Sequence, residues 1–280
     1  NCPTMPYHRL LETIRLAFPQ PVSDPVHDSY FVHSILRALD GVDAMKSDLP
    51  ILGRMQPADY EGAWRAALPE RGASLEKVSA EMVGFLEGVQ IYGHPRTQQN
   101  VITQPSIASL IGVLLAALYN PNMAWDEYGR RFALAEVEVI AMLTRLLGYD
   151  PASAAGVFTF GGTATTLYGV KLGLEKCCPG TMRDGARRPA LLFASDAAHY
   201  CRSNVAGWLG LGTSNVVVIP TATDNSIQID VLEKEARAAL EAGKPIAAFI
   251  ATLGTTDAFG LDDLEAVVRL RDRLVDDFKL

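Results

Sequence analysis

The chain has 280 residues, of which 49% are hydrophobic and 20% charged, with a formal net charge of −7. This balance is typical of a soluble α/β protein, and the length suffices for one large or two small domains. The acidic charge and the lack of a basic run argue against a nucleic-acid surface. The longest apolar run, Ile107 to Leu118, is too short to span a bilayer and predicts a buried helix.

The cysteine content indicates a reduced protein. Cys2, Cys177, Cys178 and Cys201 show no spacing of metal ligands, and two adjacent cysteines are a poor candidate for an ordinary disulfide. We therefore expect free thiols, no metal site and a cytoplasmic location.

The N-terminal segment, residues 1–90, is expected to be helical and carries no chemical motif. A helical extension or dimerisation segment is the simplest interpretation. Prolines at 19, 21 and 25 are expected to break the chain between the first two helices. The predicted helices are His8 to Ala17, Val32 to Leu39, Asp59 to Ala67, and one capped by Ser74 that runs through Leu86.

A polar, turn-like segment from Tyr92 to Asn100 follows. Its His-Pro-Arg loop and the amides after it are compatible with a substrate pocket, and equally with an ordinary solvated loop. Two more helices are predicted, from Ser106 to Leu118 and from Phe132 to Leu147, with Gly148 ending the second.

From Gly156 onward, short apolar runs alternate with helical patterns. This alternation predicts a mainly parallel sheet with helices on both faces, and residues 91–280 as the large domain. The predicted strands are Ala190 to Ala194, Val216 to Ile219 and Ile246 to Ala251. The predicted helices are Thr163 to Lys176, Ala198 to Leu209, Ile229 to Ala242 and Asp262 to Leu280.

The most informative stretch begins at Gly156 and predicts a short apolar strand, a tight Gly161-Gly162 turn and the start of a helix. Free backbone N–H groups at such a helix start form an anion site. Hydroxyls of Thr163, Thr165 and Thr166 can add donors. The alternative is a glycine turn that merely joins two elements.

Three loops are expected at the carboxyl ends of strands, where ligands bind in parallel sheets: Thr159 to Thr165, Ser195 to Tyr200, and Thr252 to Asp257. His199 in the second loop is a site candidate or a capping residue. The hydroxyls of the third could meet a ligand oxygen or form a plain turn. The sequence has no P-loop, dinucleotide fingerprint or nucleophile elbow.

Several short motifs occur in one order: Gly-His-Pro-Arg at 93–96, Glu136, Phe-Thr-Phe-Gly-Gly-Thr at 158–163, Ser-Asp-Ala-Ala-His-Tyr at 195–200, Gly-Leu-Gly at 210–212, Ala-Thr-Leu-Gly-Thr-Thr at 251–256 and Leu-Asp-Asp-Leu at 261–264. Over residues 90 to 280, this set resembles the pyridoxal-phosphate-dependent group II decarboxylases, which include glutamate, aromatic amino acid and diaminobutyrate decarboxylases. The resemblance implies fold type I, with a three-layer αβα large domain that is incomplete in this chain.

The same resemblance implies roles around pyridoxal 5'-phosphate. Gly162, Thr163 and Ala164 would hold the phosphate. His199 would stack on the pyridine ring and act as a catalytic residue that handles protons. The cofactor would take up the electrons released when carbon dioxide leaves an amino-acid substrate.

Four further residues receive roles by resemblance. Thr256 and Asp262 are similar to cofactor-binding residues near the polar edge of the ring. His94 and Asn100 match the substrate-binding part of the motif.

Three positions depart from the family pattern. Ala164 replaces an acidic residue, Cys201 replaces a serine, and Asn204 occupies a lysine position. These departures favour, to a modest extent, a non-catalytic decarboxylase-like subunit. A second alternative is a carbon–carbon lyase or an aldehyde-forming relative of the same fold type.

The aspartate and lysine motifs that the family carries downstream do not occur in this sequence. That lysine binds the cofactor covalently, so we expect a C-terminal half, as a separate chain or a further segment, to complete the site. The complete units are expected to form dimers.

Overall fold

The computed structural model describes residues 6–15, 17–19, 22–98, 100 and 102–280. These residues divide into two compact units. One contains the described residues up to 98 together with 102–120, and the other contains residues 100 and 121–280.

The first unit is helical, as predicted. Its helices are α1 (Tyr7–Arg15), α2 (Pro25–Met45), α3 (Tyr60–Trp64), α4 (Leu75–Gly84) and α5 (Ile107–Tyr119). Ser74 caps α4 by accepting the N–H of Lys77, so the predicted cap is confirmed. The predicted start of the second helix at Val32 is wrong: α2 begins at Pro25, because proline is tolerated at the first helical position and Asp24 caps it.

Helix α5 forms where the sequence predicts it, but the prediction that it is buried is wrong. None of its residues is buried, and Ile107 and Val113 are 79% and 67% exposed. An almost wholly apolar helix is stable in water only when another surface covers it, and no part of the described chain does so.

The second unit is an α/β structure. Its elements are α6 (Asp126–Gly129), α7 (Arg131–Leu146), α8 (Gly162–Cys177), α9 (Thr181–Asp184), β1 (Leu191–Ser195), α10 (Cys201–Trp208), β2 (Val216–Ile219), α11 (Ile229–Glu241), β3 (Ile246–Ile250) and α12 (Leu264–Phe278). The three strands lie within one residue of the predicted ones. They form a parallel sheet in the order β2-β1-β3, so their carboxyl ends share one edge.

Helices cover both faces of this sheet, as predicted. On one face, Leu191 and Phe193 of β1 pack with Leu232 of α11 and Leu270 of α12. Leu192 points to the other face, where its cluster includes residues of α8 and α10. Alternation along β1 therefore separates two cores, each closed by two helices.

The predicted strand after Gly156 is not formed, since residues 156–160 belong to no ladder in the described part of the chain. A strand requires a neighbour, and β1, β2 and β3 pair only among themselves here. One backbone N–H in this segment forms a hydrogen bond with a side chain: the N–H of Phe158 donates to Oε1 of Glu136 on α7 over 3.0 Å.

Candidate cofactor site

The start of α8 presents two unused backbone donors. Gly161, with φ +84°, is the N-cap and offers no side-chain bond. The N–H groups of Ala164 and Thr165 donate to its carbonyl over 3.2 and 3.3 Å. The N–H groups of Gly162 and Thr163 have no acceptor among the described residues. Two free donors at the positive end of a four-turn helix suit an anion.

Open space lies in front of these donors. A Cβ added at Gly161 or Gly162 would meet no heavy atom within 4 Å. The hydroxyl of Thr163 is also without a partner in the described part of the chain. The turn therefore offers two N–H groups and one hydroxyl to an incoming group, which is a donor set that fits a phosphate.

The other two threonines use their hydroxyls to hold the turn. Thr165 Oγ1 lies 2.7 Å from Thr159 Oγ1, and Thr166 Oγ1 donates to the carbonyl of Gly162 over 3.0 Å. Thr165 and Thr166 are thus engaged within the turn, and the Thr163 hydroxyl is the one left open to an anion. The hydroxyls of Thr165 and Thr166 shape the cradle, which we define as Gly161, Gly162 and Thr163.

Ala164 lies immediately beneath the cradle. Its side chain is fully buried, and its N–H is engaged by Gly161. This position therefore supports the turn from below. Its predicted contact with a cofactor stays a prediction.

His199 follows β1 and precedes α10. Its Nδ1 accepts the backbone N–H of Cys201 over 3.2 Å, and its ring lies against Tyr200 with 4.1 Å between centroids. A neutral imidazole whose Nδ1 accepts must carry its proton on Nε2. The ring is thus oriented by its own backbone, with Nε2–H available to a ligand.

Cys201 joins the His199 loop to the cradle helix. Its thiol is buried and lies 3.9 Å from the hydroxyl of Thr166, one turn into α8. Because α8 and α10 pack on the same face of the sheet, the two predicted loops are brought together. Cysteine here fills a buried contact, so its departure from the family's serine is compatible with this arrangement.

The third loop follows β3 and is closed by its own hydrogen bonds. The N–H groups of Gly254 and Thr255 both donate to the carbonyl of Gly260 over 3.1 Å. The hydroxyl of Thr255, a residue 1% exposed, accepts the N–H of Gly260 over 2.8 Å. Thr256 is half-buried in the turn that these bonds define.

Asp262 ends this loop with a buried carboxylate. Its Oδ1 accepts the N–H of Ile227 over 2.7 Å, and its Oδ2 accepts the N–H of Thr252 over 2.6 Å. Both oxygens are therefore engaged by backbone. The residue predicted to lie near the cofactor ring is placed at the base of two loops.

Ser195 begins the predicted His199 loop but received no role of its own from the sequence. Its hydroxyl is buried at the carboxyl end of β1 and has no partner in the described chain. By alternation it lies on the face of Leu191 and Phe193, away from α8. The signal in the sequence is a serine that closes a wholly apolar strand, at the edge where a ligand would approach.

The two residues predicted to bind substrate lie in different units. His94, in the first unit, is half-buried and accepts the N–H of Arg96 at Nδ1 over 3.1 Å. Asn100, assigned to the second unit, has φ +60°, a conformation that asparagine tolerates. Their contact with a substrate stays a prediction.

Lys171 of α8 and Lys244 before β3 both lie away from the cradle. Lys171 lies roughly 13 Å along the axis of α8 from Gly162, at about 1.5 Å per residue. Lys244 precedes β3 and so lies at the opposite edge of the sheet from the loops.

In the described residues no three His, Cys, Asp or Glu side chains gather as metal ligands, and no helix is long and apolar enough to cross a membrane.

The cradle, the histidine loop and the parallel sheet together have the donors and the placement that a phosphate-bearing cofactor above strand ends would need. Residues 57–275 match the model of the pyridoxal-dependent decarboxylase conserved domain. This match covers more than half of the chain, so the protein belongs to the pyridoxal-dependent decarboxylase family. Pyridoxal phosphate is the cofactor of that family, as the motifs predicted.

Relatives confirm the predicted group and the fold type I architecture. L-2,4-diaminobutyrate decarboxylase of Rhizobium meliloti (strain 1021) is 30% identical over 206 residues, covering 72% of this chain and 40% of the relative. Cysteine sulfinic acid decarboxylase of Homo sapiens is 27% identical over 266 residues, covering 92% and 53%. The crystal structure of mouse CSAD superimposes with a TM-score of 0.76 at 25% identity, covering 90% and 53%.

The chain thus spans about half the length of the relatives that it matches. Both relatives described above are named as amino-acid decarboxylases.

Proposed function

We propose that this chain supplies the phosphate cradle and the histidine of an amino-acid decarboxylase site. The observation that carries the proposal is the pair of free N–H groups of Gly162 and Thr163, which open at a strand-end edge in a chain of this family. The cradle would hold the cofactor phosphate, with the Thr163 hydroxyl as third donor.

His199 would lie against the cofactor ring and present Nε2–H to it. The hydrogen bond from the Cys201 N–H to Nδ1 supports this role, because it opposes a 180° rotation of the imidazole ring. An imidazole held in one tautomer can donate or hold a proton at a defined atom. Pyridoxal phosphate, when bound, supplies the electron sink for carboxyl loss.

Thr256 would reach the cofactor from the loop after β3, and His94 and Asn100 would contact the substrate. We infer that the substrate is an amino acid. 2,4-Diaminobutyrate and cysteine sulfinate are the first candidates, because they are named for the relatives described above.

A lysine from a C-terminal half, either a further segment or a separate chain, would complete the site. Dimerisation of complete units is supported by the apolar surface of α5, which needs a cover. The free thiols of Cys177, Cys178 and Cys201 are compatible with the proposed cytoplasmic location.

The cradle can be tested on this chain with pyridoxine 5'-phosphate. This probe has the phosphate but no aldehyde, so it cannot react with exposed lysines. We expect saturable binding in a ³¹P NMR titration, with competition by inorganic phosphate. Gly162→Ala should weaken binding at least about tenfold, since a Cβ would occupy the approach to the donors.

Gly169→Ala is the matched control, because Gly169 lies in the same helix and also faces open space. It should bind the probe as the unchanged chain does. Equal binding by Gly162→Ala and the unchanged chain would contradict the proposal.

A further inference from the structure

The Asp262 carboxylate joins two loops that are distant in sequence. Asp262 is 3% exposed. One of its oxygens accepts the N–H of Ile227, 35 residues away, and the other accepts the N–H of Thr252, 10 residues away. The backbone N–H of Asp262 also donates to the carbonyl of Thr252 over 2.9 Å. Asp262 and Thr252 are thus bound to each other in both directions.

The two loops are the connections that leave β2 and β3 at the site edge. In the first, Thr221 bridges to Ile227. In the second, Leu253 bridges to Leu261. The loops touch, because a Cβ on Gly260 would lie only 2.2 Å from the carbonyl oxygen of Asn225.

Hydrogen bonds, not a cation, hold this carboxylate. In the described part of the chain no Lys, Arg or His forms an ion pair with Asp262. A buried carboxylate is costly unless its oxygens are bonded, and charge-assisted bonds to backbone N–H groups are among the stronger hydrogen bonds. The bonds to Ile227 and Thr252 are therefore strong constraints on both loops.

We propose that Asp262 is a positioning residue, which fixes the loop that carries Thr256 by locking Thr252 to Ile227. Its carboxylate acts through the backbone and not by touching the cofactor, because both oxygens already accept loop N–H groups. This inference rests on the proposed function for the role of Thr256, but the lock between the loops can be measured without any cofactor.

The neighbouring residue provides the control. Asp263 is exposed and caps α12 by accepting the N–H of Ala266 over 2.9 Å. Asparagine caps a helix about as well as aspartate, so Asp263→Asn should change little. Asp262→Asn differs, because asparagine has one acceptor atom and would turn an N–H group toward a backbone N–H.

The experiment measures amide hydrogen exchange at Thr252 and Ile227 in three proteins: the unchanged chain, Asp262→Asn and Asp263→Asn. Asp262→Asn should speed exchange at one or both amides at least about tenfold, in line with the loss of a charge-assisted bond. It should also weaken pyridoxine 5'-phosphate binding, while Asp263→Asn leaves both measurements within about twofold of the unchanged chain.

Unchanged exchange at both amides in Asp262→Asn would overturn the inference. Weaker probe binding without faster exchange would also overturn it, since it would indicate direct contact with the cofactor. If the unchanged chain fails to bind the probe while Asp262→Asn exchanges faster, the proposed function fails and the lock stands.

If Asp262→Asn does not fold, the link between the two loops is tested in the unchanged chain. Its Thr252 and Ile227 amides should exchange at least about tenfold more slowly than that of Asp257 in the exposed turn. Equal rates would contradict the lock.

Discussion

The backbone N–H of Cys201 donates to Nδ1 of His199 over 3.2 Å. This bond links the first residue of α10 to the side chain two residues before it, so the helix start determines the tautomer of the imidazole. We predict that neutral His199 carries its proton on Nε2. Nitrogen-15 NMR of labelled histidine at alkaline pH should show Nε2 as the protonated nitrogen of this ring. A ring protonated on Nδ1 would contradict the assignment.

The two glycines of the cradle should respond differently to alanine. Gly161 has φ +84° and ψ 170°, a region that is almost exclusive to glycine. Gly161→Ala is therefore expected to lower the free energy of unfolding by about 1–3 kcal/mol. Gly162 is the first helical residue and needs no positive φ, so Gly162→Ala should stay within about 0.5 kcal/mol of the unchanged chain. Urea unfolding measures both, and equal losses would contradict the cradle geometry.

A second pair of glycines tests how α8 packs on the sheet. A Cβ on Gly173 would lie 2.0 Å from the carbonyl oxygen of Ala247 in β3, so Gly173→Ala must push the helix outward. We expect a loss of about 1–3 kcal/mol in the free energy of unfolding. Gly169→Ala, one turn earlier and in open space, should gain up to about 1 kcal/mol because alanine favours helix. A Gly173→Ala protein as stable as Gly169→Ala would show that the contact is absent.

Cys177 should be an unreactive thiol at neutral pH. Burial, reinforced by the neighbouring Cys178 thiol, raises the pKa of Cys177 to about 12. Its alkylation by iodoacetamide at pH 8 should therefore be much slower in the folded chain than in urea, because only the thiolate reacts. Peptide mass spectrometry measures this difference, and equal rates in the two states would contradict it.

The same shift of the Cys177 pKa makes the free energy of unfolding fall at high pH. The unfolded thiol, with a pKa near 9.0, loses its proton before the folded one as pH rises. The protonated Cys177 thiol therefore makes its full contribution to the stability of the folded chain below about pH 9, and this contribution is lost as pH approaches 12. Replacing Cys177 by alanine should reduce the fall in stability across that range.

Features that depend on neighbouring residues in the chain were predictable from the sequence. The Gly161-Gly162 turn and the start of α8 are found within one residue of the prediction, because a positive φ at glycine and a helix start are local. The cap at Ser74 follows from the same kind of local pattern. The parallel sheet was predictable because each strand alternates with a helix in the sequence.

Features that depend on distant partners were not predictable. The segment after Gly156 has the composition of a strand but no strand beside it, and α5 has the composition of a buried helix but no cover. The bonds of Asp262 join backbone groups 10 and 35 residues away, which no spacing rule would reveal. In each case the structure depends on a contact with residues distant in the sequence, or with a surface outside the described chain.

We propose above that the cradle and His199 of this chain form part of an amino-acid decarboxylase site. This role is tested by co-expressing the chain with the proposed C-terminal half, adding pyridoxal phosphate, and measuring carbon dioxide release from amino acids, starting with 2,4-diaminobutyrate and cysteine sulfinate. We predict a visible absorbance of bound cofactor and carbon dioxide release that depends on His199. A complete assembly that binds the cofactor yet releases no carbon dioxide from any amino acid would contradict a decarboxylase role for the cradle and His199.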